Sequence, residues 1–350
     1  MSKKLFSIVL ALSLLPYWGC SDEDDPVISE QNDYSQIITT YADEVVVETY
    51  HDLEENAGNL KSAVDVFFLS STQMNLDAAC DAWKAARAPW ENSEAFLFGP
   101  VAFLSLDPSM DSWPLDQSQL QQVLISQFDL TPEFIRDGLG YSLRGFHTIE
   151  YLLFRDGGPR NVADVTDREK EYLSSVAQIL LEDTETLHNE WDGGFRDEFV
   201  NAGKSGSRYA SQVQAVQEII EGIITIADEV GNGKIGGPFL TKDVQSVESQ
   251  FSWNSLTDFK NNIISIENAY LGRNPSGIDG MGLDDFVREK NSNLDTRVKQ
   301  EITEAYNAID AIPEPFRNNL NADTQIAAAI NACNTLLNTI LEDVKPLFTN

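Results

Sequence analysis

An all-α fold is predicted for this chain by three observations. Apolar residues recur at spacings of three and four along nearly every long segment, the alternation that a half-buried strand needs is scarce, and the periodic segments are separated by glycine- and proline-bearing breaks. In the first half the periodicity predicts helices over about 34–68, 74–98, 132–154 and 167–191, the first carrying Ile37, Ile38, Tyr41, Val45, Leu53, Ala57, Leu60, Val64 and Phe67. The second half has four cleaner stripes: Val213 to Val230, Leu256 to Tyr270, Leu294 to Ile309, and Ile326 to Val344. Each is wide enough to face a bundle core. Residues 192–206 hold four glycines and little apolar periodicity, which places a domain boundary there. Four helices on each side suggest two four-helix bundles packed together, over 34–195 and 205–348. Trp90 to Phe96 and Val247 to Trp253, both acidic and aromatic, are compatible with an internal duplication.

Residues 1–19 read as an export signal: Lys3 and Lys4, an apolar run from Leu5 to Leu15 too short to span a bilayer, and a cleavage point at Gly19-Cys20. Cleavage there leaves Cys20 at the mature amino terminus, where a thiol carries lipid in bacterial lipoproteins. Tyr17 and Trp18 depart from the usual small or aliphatic pair, so plain secretion is the alternative. Residues 20–33, with Asp22-Glu23-Asp24-Asp25, then form an acidic tether, similar to that of surface-exposed lipoproteins of the Bacteroides group. The expected location is the outer membrane, facing the periplasm or the cell surface. The formal charge is -32, and losing two lysines with the signal leaves 22 basic against 56 acidic residues, or -34. So acidic a chain repels phosphate backbones, which excludes nucleic acid as a partner class and favours cations or basic ligands. Cys80 and Cys333, both on apolar stripes, read as buried free thiols, with a disulfide as the alternative.

Two polar groups interrupt the third stripe. Leu139, Leu143, His147, Glu150 and Phe154 follow spacings of four and three, so an imidazole and a carboxylate share a face that should be core. Burying them is unfavourable unless they pair, hydrogen-bond or ligate. The alternative is a satisfied core pair. The second helix repeats the pattern, with Arg87 and Glu94 on the stripe of Cys80, Trp83 and Trp90, and Pro89 expected to kink it; an internal Arg87–Glu94 salt bridge is the plain reading. Asp111-Ser112-Trp113-Pro114-Leu115-Asp116 adds an aromatic and further carboxylates. His51 and His188, flanked by acids, read as surface residues. Gly203-Lys204-Ser205 is similar to a phosphate loop, but Glu198 stands where its first glycine must be.

Trp90-Glu91-Asn92-Ser93-Glu94-Ala95-Phe96, Ser112-Trp113-Pro114-Leu115-Asp116 and Gly145-Phe146-His147-Thr148-Ile149-Glu150-Tyr151-Leu152-Leu153-Phe154 resemble the imelysin family. The likeness continues through Lys234-Ile235-Gly236-Gly237-Pro238-Phe239, Val247-Glu248-Ser249-Gln250-Phe251-Ser252 and the stretch from Asn262 to Gly272, over essentially the whole mature chain. The family's Gly-x-His-x-x-Glu motif falls on Gly145, His147 and Glu150. The resemblance implies two helical bundles with the motif near their interface, export by bacteria, and a link to iron or haem acquisition. Some members are classed as metallopeptidases.

The residues themselves lack the zinc-peptidase pattern His-Glu-x-x-His and its inverse, since Tyr151 stands where the latter needs a second histidine. With three histidines in the chain, a tight site must be carboxylate-rich. His147, Glu150 and Glu94 are the expected metal ligands, an N/O set suited to iron or zinc, with Arg87, Trp113, Asp116, Glu248 and Ser252 lining a ligand site. Three functions follow: a tethered module binding iron, haem or another metal-containing ligand, working with an outer-membrane uptake component; a metallopeptidase using His147 and Glu150; or a cell-surface interaction protein whose buried polar cluster only fixes helix register.

Overall fold

A computed structural model of the chain describes residues 32–349; the expected signal, Cys20 and nearly all of the acidic tether lie outside the described residues. Eight principal helices carry the fold: α1 (Glu48–Leu69), α2 (Gln73–Glu91), α3 (Gly145–Leu153), α4 (Asp167–Glu190), α5 (Gln212–Asp228), α6 (Ser255–Leu271), α7 (Ser292–Asp310) and α8 (Asp323–Thr339). A π-helical stretch, Tyr41–Val47, joins Ser35–Thr40 to α1 without a break. The strand content of the described residues is a two-stranded hairpin, Phe154–Arg155 against Gly158–Pro159. The all-α prediction therefore holds.

Local chemistry sets the helix starts. Thr72 caps α2 by accepting from the Asn75 amide, and Thr166 forms a reciprocal capping box with Glu169 at the head of α4. Two predicted helices are corrected. The segment 132–154 is three pieces, Pro132–Gly138, a 3-10 turn Tyr141–Leu143, and α3. The break falls at Gly145, whose φ of +79° no helix interior allows, so Leu139 and Leu143 do not share a helix with His147. The segment 74–98 runs through the buried Pro89 but ends at Glu91, and Glu94 begins a separate 3-10 turn, Glu94–Phe96.

Helices α1 to α4 pack on one another, as do α5 to α8, and α2 lies against α6. Residues 33–350 form one compact unit across the glycine-rich break. The paired acidic and aromatic segments differ in conformation, the first ending a helix and the second forming turns ahead of α6, so the duplication is not confirmed. The seam is tight where α5 meets the Glu94–Phe96 turn. A Cβ on Gly222 would stand 1.9 Å from the Ala95 carbonyl oxygen, so glycine alone permits that approach. Aromatic side chains fill the first half, with Trp83, Trp90, Trp191, Tyr50 and Phe96 fully buried. Both described cysteines are buried and free; burial pushes each thiol up to about 12, which leaves them inert. No helix among the described residues is long and apolar enough to cross a membrane.

Candidate metal centre

At the seam between the two groups of helices lies a buried network of charges. Helix α2 contributes Arg87 and Glu91; the short helix Leu106–Asp111 ends in Asp111; α3 contributes His147 and Glu150. From the second half come Lys234, on the π-helical segment Glu229–Ile235, Glu248 and Ser252 in the turns before α6, and Asp258 and Asn262 on α6. Gly145 explains why α3 meets Asp111. A Cβ there would lie 2.2 Å from the Met110 carbonyl oxygen, so only glycine lets the head of α3 close on the preceding short helix.

Glu150 stands behind His147. Its Oε1 accepts from the Phe251 amide (2.9 Å), the Ser252 amide (2.8 Å) and the Ser252 hydroxyl (2.7 Å), while Oε2 faces His147 Nδ1 at 3.4 Å. This arrangement turns the other ring nitrogen, Nε2, toward Asp111 Oδ1 at 3.1 Å and Glu248 Oε1 at 3.7 Å. Nε2 is buried yet has no hydrogen-bond geometry to either oxygen. Donors that share one ion at bond lengths near 2 Å stand roughly 3 Å apart, and an imidazolium paired with carboxylates has the same spacing, so these separations are compatible with a ligand set and with an ion pair alike. Asp111, His147 and Glu248 form one of three sets among the described residues whose donor atoms lie within 4.8 Å of one another; the others are Glu91, Glu94 and Asp111, and the more exposed His51, Asp52 and Glu55. Trp113 covers the imidazole, ring centroids 4.7 Å apart.

Arg87 ties the carboxylates together. Its guanidinium is fully buried, contacts Asp111 and Glu91 at short range, and reaches Glu248 at 2.8 Å and Asp258 at 3.8 Å. Lys234 lies 3.3 Å from Glu94, 3.3 Å from Glu248 and 3.5 Å from Glu91. Burial opposes charge on every member, and neighbours decide the outcome. Burial lifts Glu94 and Asp258 well above the usual carboxylate range and raises Glu91. For Asp111, Arg87 and His147 outweigh burial and hold the carboxyl well below its ordinary value; for Glu248, Lys234, His147 and Arg87 do the same, holding it at about 2. Burial disfavours the imidazolium of His147, but Asp111, Glu150 and Glu248 overcome it and raise its pKa well above the ordinary value. The two carboxyls held below their ordinary value, Asp111 and Glu248, are the two that face His147 Nε2.

A cleft of 330 Å³ leads to this point, lined by Glu94, Asp107, Asp111, Trp113, Lys234 and Glu248 among others. Burial raises Asp107 to about 6, helped by Asp111 and Glu229. Of the expected site residues, the structure brings together His147, Glu150, Arg87, Trp113, Glu248, Ser252 and Glu94. Glu150 and Ser252 orient His147 and anchor the turn before α6, and Glu94 pairs with Lys234. The plain alternative of an Arg87–Glu94 bridge is replaced by Arg87 with Glu91 and Asp111. Asp116 lies apart, exposed, capping Gln117–Leu124 through the Gln119 amide at 2.8 Å. His51 is exposed as expected, whereas His188 is half-buried, its Nδ1 2.5 Å from Glu54. Sequence reasoning missed the roles of Asp111, Lys234, Asp258 and Asn262. A signal existed for the last two: spaced by four, they break the apolar face of α6 as His147 and Glu150 break that of α3.

Fold and site together define an all-helical protein with a buried histidine and carboxylate centre at an internal seam. The chain belongs to the imelysin family, whose peptidase M75 model matches residues 46–341. It is 30% identical over 303 residues to iron-regulated protein A of Synechococcus elongatus, covering 85% of this chain and 81% of that protein. Among solved structures it is similar to an iron-regulated protein A precursor from Parabacteroides distasonis, with TM-score 0.83, 35% identity, and coverage of 92% of this chain and 97% of that one. An imelysin-like protein from Psychrobacter arcticum shares the fold, with TM-score 0.71 at 12% identity, over 91% of this chain and 97% of that one.

Proposed function

We propose that this protein is an exported, lipid-tethered module that captures a metal cation, iron in its physiological setting, with Asp111, His147 and Glu248 as ligands. The observation that carries this reading is His147 Nε2, buried beside two ionised carboxylates at ligand spacings without hydrogen-bond geometry to either. Glu150, by accepting three hydrogen bonds and facing Nδ1, serves as the outer carboxylate that orients a ligating imidazole. Relatives named iron-regulated support the link to iron. The lining of the cleft favours a bare ion over haem: its carboxylates repel propionates, and Leu97 and Trp113 are its only large apolar side chains. Calorimetric titration with ferrous, ferric, zinc and haem ligands tests the reading. Wild type should bind the ions, and Asp111→Asn and Glu248→Gln should fold yet lose at least about 100-fold in affinity, the upper end of what an outer-shell partner alone contributes. Unchanged binding in both variants removes this site, haem binding alone restores the haem reading, and metal-dependent cleavage of a peptide library replaces capture with a peptidase. Tethering is tested separately: Cys20→Ala should shift the protein from the membrane to the soluble fraction, and a wild type already soluble after export excludes the anchor.

A further inference from the structure

Two of the chain's three histidines, neither part of the central set, meet across a pair of packed helices. His51 lies on α1 and His188 in the last turn of α4; their rings stand edge to face, centroids 5.4 Å apart and planes at 74°. Residues three and four apart share a helical face, so Glu54 and Glu55 accompany His51, and Glu185 accompanies His188. The two faces border a cavity of 420 Å³, lined by His51, Glu54, Glu55 and Glu185 among others. His188 is half-buried, and its Nδ1 lies 2.5 Å from Glu54 Oε2. A neutral imidazole that donates there keeps its lone pair on Nε2, the arrangement of a ligating histidine backed by a carboxylate. Glu54 thus stands to His188 as Glu150 stands to His147, at closer range. His51 is held less firmly: its side chain is 57% exposed, with Nδ1 4.0 Å from Asp52, so the ring can change rotamer readily. Its donor atoms and those of Asp52 and Glu55 already lie within 4.8 Å of one another. An ion pair accounts for Glu54 with His188, but it gives no reason for a second imidazole, which a charged first ring repels.

We propose that His51 and His188 together bind a divalent transition-metal ion of the zinc class between α1 and α4, with Glu55 as the third ligand and Glu54 orienting His188. Two imidazole nitrogens and one carboxylate suit zinc, nickel or copper(II), whereas carboxylates alone would suit hard cations. Three protein ligands at an open surface leave a coordination position for water. The site shares no residue with the central set, so it stands whether or not a metal binds at His147.

Calorimetric titration of the full mature chain with zinc(II) tests this by stoichiometry, in wild type and in Glu248→Gln. In each background His51→Ala, His188→Ala and the double variant should all lower the zinc count by one and to the same extent, because one ion needs both rings. Glu54→Gln should keep the count but weaken binding at this site by about 10- to 100-fold, as loss of an orienting carboxylate does. A zinc count that survives both histidine changes overturns the site, and if that count falls only with Glu248→Gln the central reading is left standing. Losses that add across the two histidines, or that follow one of them alone, describe independent surface imidazoles and overturn the paired site as well. Zinc lost with the histidines but unaffected by Glu248→Gln supports the site and counts against zinc at the centre. Helical circular dichroism checks that each variant folds; should His188→Ala fail, His188→Gln, which keeps a donor to Glu54, replaces it with the same expected loss.

Discussion

Three donors converge on one oxygen of Glu150, and the other oxygen faces Nδ1 of His147 at 3.4 Å. This division of labour makes Glu150→Gln informative. The amide oxygen can keep the contacts to Phe251 and Ser252, but its NH2 then faces Nδ1 and donates to it, which places the ring proton on Nε2 where a ligand needs a lone pair. The expected outcome is a stable protein with about 10- to 100-fold weaker metal binding by calorimetry. Arg87→Met should behave in the opposite way. It leaves Glu91, Asp111 and Glu248 without their buried guanidinium, and removing one partner of such a network destabilises by roughly 3–5 kcal/mol, to be measured by denaturant unfolding. His147 and Glu150 were legible in the sequence as polar groups three apart within an apolar helical segment, although Leu139 and Leu143, with which they were aligned, belong to other pieces of the chain. Asp111 and Lys234 were not, since each lies at a short or π-helical segment beside a break, where no periodicity marks a side chain as inward.

Among the elements, two glycines set how closely backbones meet. Gly222 admits the Ala95 carbonyl against α5 and so places the turn that carries Glu94, and Gly145 admits the Met110 carbonyl against the head of α3. Gly145→Ala combines a left-handed φ of +79° with a backbone clash, and should lower stability by about 2–3 kcal/mol or more. It should also weaken metal binding, because relief of the clash moves His147 away from Asp111. Thermal unfolding and titration of the same preparation check both effects; a variant of native stability and affinity would refute this account of the glycine in the family motif. The position of each helix was readable from its stripe, while the breaks within 132–154 and after Glu91 were not. Spacings of three and four continue across a short turn, and only the packing of Met110 on Gly145 shows that the helix starts afresh.

At the scale of the whole molecule, the site is also the seam. Arg87 reaches Glu248, Glu150 holds Ser252, Asn262 bonds to Glu91, and the Ser265 hydroxyl accepts from the Ala95 amide at 2.8 Å. Each bond joins the first group of helices to the second, and residues 33–350 form one compact unit. Calorimetry should therefore record a single unfolding transition, shifted upward as a whole by a bound metal. Two separate transitions would show that the groups fold independently and that the seam contributes little. The sequence by itself determined the all-helical class, the eight stripes and the pair His147 and Glu150, because helical periodicity is a local property in which residues three and four apart share a face. Tertiary structure alone decided that Asp111 and Glu248 meet His147, that Glu150 stands behind the ring, and that Lys234 lies among carboxylates. Those contacts join residues as far apart as Lys234 and Glu91, 143 positions along the chain, and their geometry depends on how whole helices approach one another rather than on any spacing along the chain.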